Sequence, residues 1–219
     1  MSQLNSPRLI IANLVQLVGI VVLRTWARLA YRMRVRRSRI QPAGACVYAC
    51  NHRAFADPMV VAMWSRDPVA FFARASLWRI PPIRIWLDIF SGIPVERENP
   101  GMSSMKGAIE RLRAGIPVLV FPEGTRTRSG RVGPLRDGPA LFARRAAVPL
   151  VPVYVHRTDL MWPRGALVPR LCGPRMEVRF GAPLVVPATL DQRSQDAWIM
   201  RRLALWMQAQ ERELQRRGR

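Results

Sequence analysis

The chain has 219 residues, 35 of them Lys or Arg and 14 Asp or Glu, giving a formal net charge of +21 with 49% hydrophobic content. That length and apolar fraction carry one full hydrophobic core, which argues against disorder and against a miniature fold that depends on disulfides. Lys106 is the single lysine, so nearly all the charge is guanidinium, pointing to anionic partners: nucleic acid, an anionic membrane or an acidic substrate.

Residues 9–23, L-I-I-A-N-L-V-Q-L-V-G-I-V-V-L, form an apolar run interrupted only by Asn13 and Gln16. The run falls short of the roughly 20 residues of a full span. Trp26, Tyr31 and the arginines Arg24, Arg28, Arg32, Arg34, Arg36, Arg37 and Arg39 follow it. This order predicts a helix embedded in, or lying on, a cytoplasmic leaflet. A buried core helix is the competing reading; a cleaved signal fits less well because the arginines come after the apolar stretch. The expected division is residues 1–40, an N-terminal membrane-associated helix and basic segment, and 41–219, one domain ending in a basic amphipathic helix.

Strands and helices then alternate. A-C-V-Y-A-C (45–50) reads as a buried strand, and Asp57 with Pro58 opens a helix through residue 66, with Asp57 as a possible cap. V-A-F-F-A (69–73) is a second strand. An apolar helical stretch over 76–90 is broken or kinked at Pro81-Pro82, and G-I-P-V-E (92–96) is a weaker third strand. Ser103 or Ser104 can cap a helix that carries Met105, Ile109 and Leu112 and stops at Gly115. I-P-V-L-V-F (116–121) is the strongest strand signal. A helix over 139–147, P-L-V-P-V-Y-V (149–155), a period-two strand over 175–180 and a helix over 194–217 complete the chain. The fold class is α/β: a single layered domain with a central mostly parallel or mixed sheet, helices packed around it, and an N-terminal membrane-associated helix. Cys46, Cys50 and Cys172 lack metal-site spacing, and the first two read as small core residues.

Two stretches at strand ends can carry chemistry. In N-H-R-A-F-A-D (51–57), a turn between His52 and Asp57 brings the carboxylate to imidazole Nδ1 and leaves Nε2 for a substrate. No serine or cysteine nucleophile motif accompanies the pair, so the hydroxyl it activates would belong to the substrate. A helix-capping aspartate beside a satisfied loop histidine would also account for these residues. His156 has no cluster of metal ligands around it. In F-P-E-G-T-R-T-R (121–128), Gly124 lets the backbone turn tightly around a ligand, and Arg126 and Arg128 offer forked donors to phosphate. Glu123 would repel phosphate, so it orients an arginine or accepts from a substrate hydroxyl. Both stretches leave strands, and loops at one sheet edge commonly build one site.

These motifs resemble the glycerolipid acyltransferase family, that of the 1-acyl-glycerol-3-phosphate acyltransferases. Asn51, His52 and Asp57 match its N-H-x4-D block. G-I-P-V-E-R (92–97) places the family's arginine on Arg97, F-P-E-G-T-R-T (121–127) matches a third block, and V-P-L-V-P-V (148–153) a fourth. V-R-F-G-A-P (178–183) is similar to a later one. The chain departs at P-L-R-D-G (134–138), where relatives often have P-F-K-x-G, at Arg84 in place of glycine, and at Thr127 in place of serine. The resemblance implies transfer of an acyl chain from acyl-CoA or acyl-carrier protein to the free hydroxyl of 1-acyl-glycerol-3-phosphate, within phospholipid biosynthesis, or to another lysolipid, including an amino-acid-containing one. His52 and Asp57 would be catalytic; Arg97, Glu123, Gly124, Thr125 and Arg126 would bind the acceptor. It implies no metal and no cofactor, and a peripheral or monotopic enzyme on the cytoplasmic side of the cell membrane. An apolar groove for the acyl chain is expected, with Phe71, Phe72, Ile83, Ile85, Trp86 and Phe90 as contributors. Nucleic acid is not an expected partner, since no helix-turn-helix or zinc pattern accompanies the charge.

Overall fold

The computed structural model describes residues 7–89, 92–95, 102–127, 129–163, 165–166, 168–185 and 189–217. Seven strands form one sheet: β1 (Arg34–Arg37), β2 (Val47–Cys50), β3 (Ala70–Arg74), β4 (Ile93–Val95), β5 (Val118–Val120), β6 (Leu150–His156) and β7 (Glu177–Phe180). Their spatial order is β1-β7-β6-β2-β5-β3-β4, and every neighbouring pair is parallel except antiparallel β6–β7. The sheet is therefore mixed.

Helices cover both faces, which is why the central strands read as unbroken apolar runs. Alternate side chains divide between the faces. Tyr48, Cys50, Phe71 and Leu119 join one core with α1 (Pro7–Ala30), α2 (Asp57–Trp64) and α3 (Pro81–Ile89). Val47, Ala49, Val118 and Val120 join the other with α4 (Met102–Arg113), α5 (Gly138–Ala146) and α7 (Gln192–Arg217). A short helix, α6 (Thr158–Met161), follows β6. Where β7 ends, Gly181 is needed because a Cβ there would meet Pro152 at 2.8 Å and Trp206 at 2.9 Å.

Several local expectations change. Pro81 and Pro82 begin α3 rather than breaking a helix, since proline fits a first turn that needs no N–H acceptor; residues 75–79 before them form a 3-10 turn. Ser104 caps nothing: it lies within α4, and its hydroxyl donates to Pro94 O at 3.0 Å.

The larger surprise is β1. Arg34–Arg37, grouped by the sequence reading with the basic segment, is an edge strand parallel to β7. Its exposed arginines suit an edge, where charge discourages pairing with another chain. Several arginines that the charge pattern assigns to a membrane hold the fold together. Arg24 Nε donates to Met63 O at 2.7 Å, and the Arg24 and Arg28 guanidinium groups lie over Trp64. Arg37 donates to Trp64 O and covers Phe180. Arg36 pairs with Glu177 at 3.0 Å. Ala27 and Tyr31 are buried in the core, whereas Val21, Val22 and Leu29 are exposed. The last turns of α1 are thus a core element. Among the described residues, no helix is long and apolar enough to cross a membrane.

Candidate active site

The carboxyl ends of parallel β2, β3, β5 and β6 share one edge of the sheet, and the site is built there. Asn51 locks the end of β2 to β6: its amide Nδ2 donates to Val155 O at 3.0 Å and its Oδ1 accepts from Val155 N at 2.7 Å. The chain then turns back on itself around Asp57. One oxygen, Oδ2, accepts from His52 Nδ1 at 2.9 Å, from Arg53 N at 2.6 Å and from Ala54 N at 2.7 Å. Asp57 is fully buried at the first position of α2, and it makes no cap bond to that helix. Its carboxylate organises the loop instead. This is the turn the five-residue spacing requires, and it orients the imidazole through Nδ1.

The loop after β5 is laced to the first. Glu123 Oε1 accepts from His52 N at 2.9 Å, and its Oε2 accepts from Gly133 N at 3.0 Å. Thr127 N donates to His52 O at 2.8 Å. Phe121 stacks under the imidazole with ring centroids 4.0 Å apart. Burial raises the Glu123 pKa, opposed by the N–H groups of His52 and Gly133. Both of its oxygens are therefore engaged by backbone N–H groups rather than by an arginine. Gly124 adopts φ +69°, and the Arg136 guanidinium lies 3.2 Å from where its Cβ would stand. Its N–H closes a turn to Phe121 O at 3.0 Å.

His52 stands between two cavities. One, of about 390 Å³, is mostly apolar; Phe55, Phe71, Phe72, Ile83 and Leu87 line it, with Arg74 and Arg126 at its wall. The other, of about 550 Å³, carries Arg74, Arg136 and Gly124. Phe71, Phe72 and Ile83 thus take the lining positions expected of them. Phe90 lies outside the described residues, as do the side chains of Ile85 and Trp86. Arg97 and Arg128 also lie outside them. Arg74 and Arg136 were not singled out as ligand-binding residues. Arg74 ends a strand at the edge that carries both motifs, and that position was its available signal. Cys50 is buried, and its thiol pKa is pushed well up by burial and then by Asp57 and Glu123. It is no thiolate nucleophile.

The family model described as Acyltransferase matches residues 32–156. The chain belongs to the acyltransferase family. Its curated relatives include a chloroplastic 1-acyl-sn-glycerol-3-phosphate acyltransferase of Brassica napus, 30% identical over 55% of this chain and 36% of that one. The enzyme of that name from Bacillus subtilis is 35% identical over 48% of this chain and 53% of its own length, and that from Pseudomonas aeruginosa is 25% identical over 84% and 77%. The chain thus spans between about a third and a half of the first curated relatives it matches. The crystal structure of the 1-acyl-sn-glycerophosphate acyltransferase PlsC from Thermotoga maritima superposes with a TM-score of 0.72 at 20% identity, over 90% of this chain and 79% of that one; at that identity the likeness shows the fold.

The other histidine of this acyltransferase-family chain behaves differently. The pKa of His156 is lowered to about 4, by burial first and then by the Arg53 and Arg157 charges, with Glu177 and Asp159 opposing. The unfolded imidazole takes a proton near its ordinary pKa of about 6.5 while the folded one does not, so this contribution to stability is complete above that pH and is lost as pH falls toward 4. Thermal melts should therefore show a smaller loss between neutral and acid pH in His156→Gln than in the parent. Equal acid losses would show that His156 contributes nothing to the pH dependence.

Proposed function

We propose that the chain transfers an acyl group from a thioester, acyl-CoA or acyl-carrier protein, to the free hydroxyl of 1-acyl-glycerol-3-phosphate. The observation that carries this reading is the His52 Nδ1 to Asp57 Oδ2 bond of 2.9 Å, at the boundary of an apolar cavity and an arginine-lined one. His52 Nε2 takes the hydroxyl proton as the oxygen attacks the thioester carbonyl. Asp57 fixes the tautomer and stabilises the imidazolium. The tetrahedral oxyanion needs donors; Gly124 N–H is already used, and among the described residues the neighbouring amides of Thr125 and Arg126 have no partner and are the candidates. Collapse of the intermediate expels the thiolate, which recovers the proton from His52. The product is the new ester and a free thiol.

The two cavities divide the substrates between them. Acyl methylenes gain about 0.8 kcal/mol each on burial, which suits the apolar cavity, while Arg126 at its wall, Arg74 between the two cavities and Arg136 in the second supply forked donors for phosphate. Arg126→Ala should raise the acceptor KM several-fold more than the donor KM, with lysine restoring only part because it lacks the planar fork. Initial rates with each substrate varied in turn check this; a change confined to the donor KM would move Arg126 to the donor side.

Membrane association completes the reading: the exposed apolar residues Val21, Val22 and Leu29 on α1 and the arginine-rich surface suit a peripheral or monotopic position on the cytoplasmic leaflet. Because Arg24, Ala27 and Tyr31 serve the core, the informative truncation removes residues 1–20, replaces the exposed Val21, Val22 and Leu29 with serine, and spares the rest. Truncation should reduce liposome flotation and activity on bilayer-presented acceptor more than activity on a soluble short-chain analogue; unchanged flotation would defeat the anchor. The deciding experiment for the function is a screen of donors against acceptors with membrane-reconstituted protein, reading acylated lipid by mass. A product formed only from another lysolipid would replace the acceptor, and no product from any thioester would defeat the proposal.

A further inference from the structure

A small basic pocket lies along the sheet edge that carries His52 and takes no part in the acyl transfer described above. β6 runs parallel to β2, so His156 at its end shares that edge. β7 runs antiparallel to β6 and β1 parallel to β7, so both begin there. The topology thus gathers Arg34, Arg157, Arg175 and Glu177 with His156, and α7 adds Arg217, around a cavity of about 90 Å³.

Its charges are unbalanced. Glu177, the one carboxylate lining it among the described residues, is already held by Arg36 at 3.0 Å and Arg179 at 2.5 Å. Arg217 is paired with Glu213 at 2.6 Å. Among the described residues, Arg34, Arg157 and Arg175 have no ion-pair partner. Arg157 is held with φ at +63°, a left-handed conformation uncommon for a residue with a side chain. Three guanidinium groups without ion-pair partners, gathered around one cavity, form a receptor for a compact anion with several oxygens.

The surroundings identify the anion's source. Arg34 N donates to Met176 O at 2.9 Å and Met176 N to Tyr31 O at 3.1 Å, so the pocket stands where α1 joins the sheet. Gly173 N donates to Ala30 O at 3.2 Å, and next to this contact Leu29 and Leu171 are both more than three-quarters exposed. Exposed apolar residues beside unpaired arginines suit the headgroup region of an anionic leaflet. We propose that the pocket bounded by Arg34, Arg157 and Arg175 grips the phosphate of an anionic glycerophospholipid headgroup, at a site separate from the one holding the reacting lipid. The bound lipid seats this sheet edge, and with it the mouth of the acyl-transfer site, against the bilayer.

The test compares the full chain with two triple variants. One carries Arg34→Gln, Arg157→Gln and Arg175→Gln; the other removes the same charge from exposed positions of α7 as Arg193→Gln, Arg201→Gln and Arg212→Gln. Flotation with phosphatidylcholine vesicles doped with phosphatidic acid should fall on the order of a hundredfold for the pocket variant, from about 1 kcal/mol per arginine at an anionic surface, and at least tenfold less for the control. Equal losses in the two variants would overturn the site, because they would show only general charge. Titration with glycerol 3-phosphate separates the sources. Competition with vesicles in the parent supports the proposal; binding that depends on the pocket while flotation does not would overturn the lipid assignment in favour of a soluble phosphate. Should the triple variant melt at a lower temperature, the single variants R34Q and R175Q, both at exposed positions, carry the test, each with a loss of about fivefold. These readouts involve no turnover, so their failure leaves the acyl-transfer reading standing, and an inactive His52 variant leaves this site standing.

Discussion

Replacing His52 with alanine should lower kcat by about 10²–10⁴-fold, the usual consequence of removing a positioned general base. The basis is geometric: the imidazole is oriented by Asp57 through Nδ1 and stands between the two cavities. The fold should survive, because the loop's backbone bonds to Asp57 and Glu123 use the amides of residues 52–54 and not the ring. Melting temperature and liposome flotation serve as controls. A correctly folded H52A protein whose rate stays within about threefold of the parent, far from the loss a base should cause, would remove His52 from the chemistry.

The second large effect concerns Glu123. Its two oxygens accept from His52 N and Gly133 N and so tie three stretches of chain together beneath the histidine. Glu123→Ala leaves both N–H groups without that acceptor, at a cost of about 1–3 kcal/mol each. It also frees the histidine loop, and a misplacement of about 1 Å can cost 10²-fold in rate. We expect kcat to fall by roughly that factor while the acceptor KM changes little, with Glu123→Gln intermediate because its amide can serve only one of the two donors. Measured kcat and KM for both variants decide between two roles. A raised acceptor KM with kcat intact would return Glu123 to contact with the ligand, as its place in the sequence motif implied; the predicted pattern makes it a positioning residue.

Much of the site could be read from the sequence because its parts are local. His52 and Asp57 fall within one tight turn, and the strand before them and the strand before Glu123 are short, continuous apolar runs. Arg74 escapes a sequence reading because it sits in no motif, and Arg136 lies in P-L-R-D-G (134–138), which marks a departure from relatives without placing its side chain at a cavity. They reach the site through packing of β3 and of the loop preceding α5. Glu123 shows the same limit from the other side. Its motif marks it as part of the site, but its partner Gly133 is met only when the loop folds back.

Composition and periodicity by themselves determined the alternation of strands and helices, the α/β class and the placement of both motifs at strand ends, since each of these depends on neighbours a few residues apart; that the sheet is mixed was decided by the antiparallel β6–β7 pair. Tertiary structure alone decided how the arginines are divided. A guanidinium at Arg36 or Arg179 looks, in the sequence, like any other surface charge; folding sets both against Glu177. Arg34–Arg37 has no apolar alternation that would mark it as a strand, and it becomes one because β7 offers an unpaired edge beside it. The last turns of α1 likewise belong to the core because Trp64 and Met63 arrive from α2 to meet Arg24 and Arg28. Charge in a sequence records what a residue can bind, whereas the partner is chosen by chain brought close from far away, and that information exists only in the folded molecule.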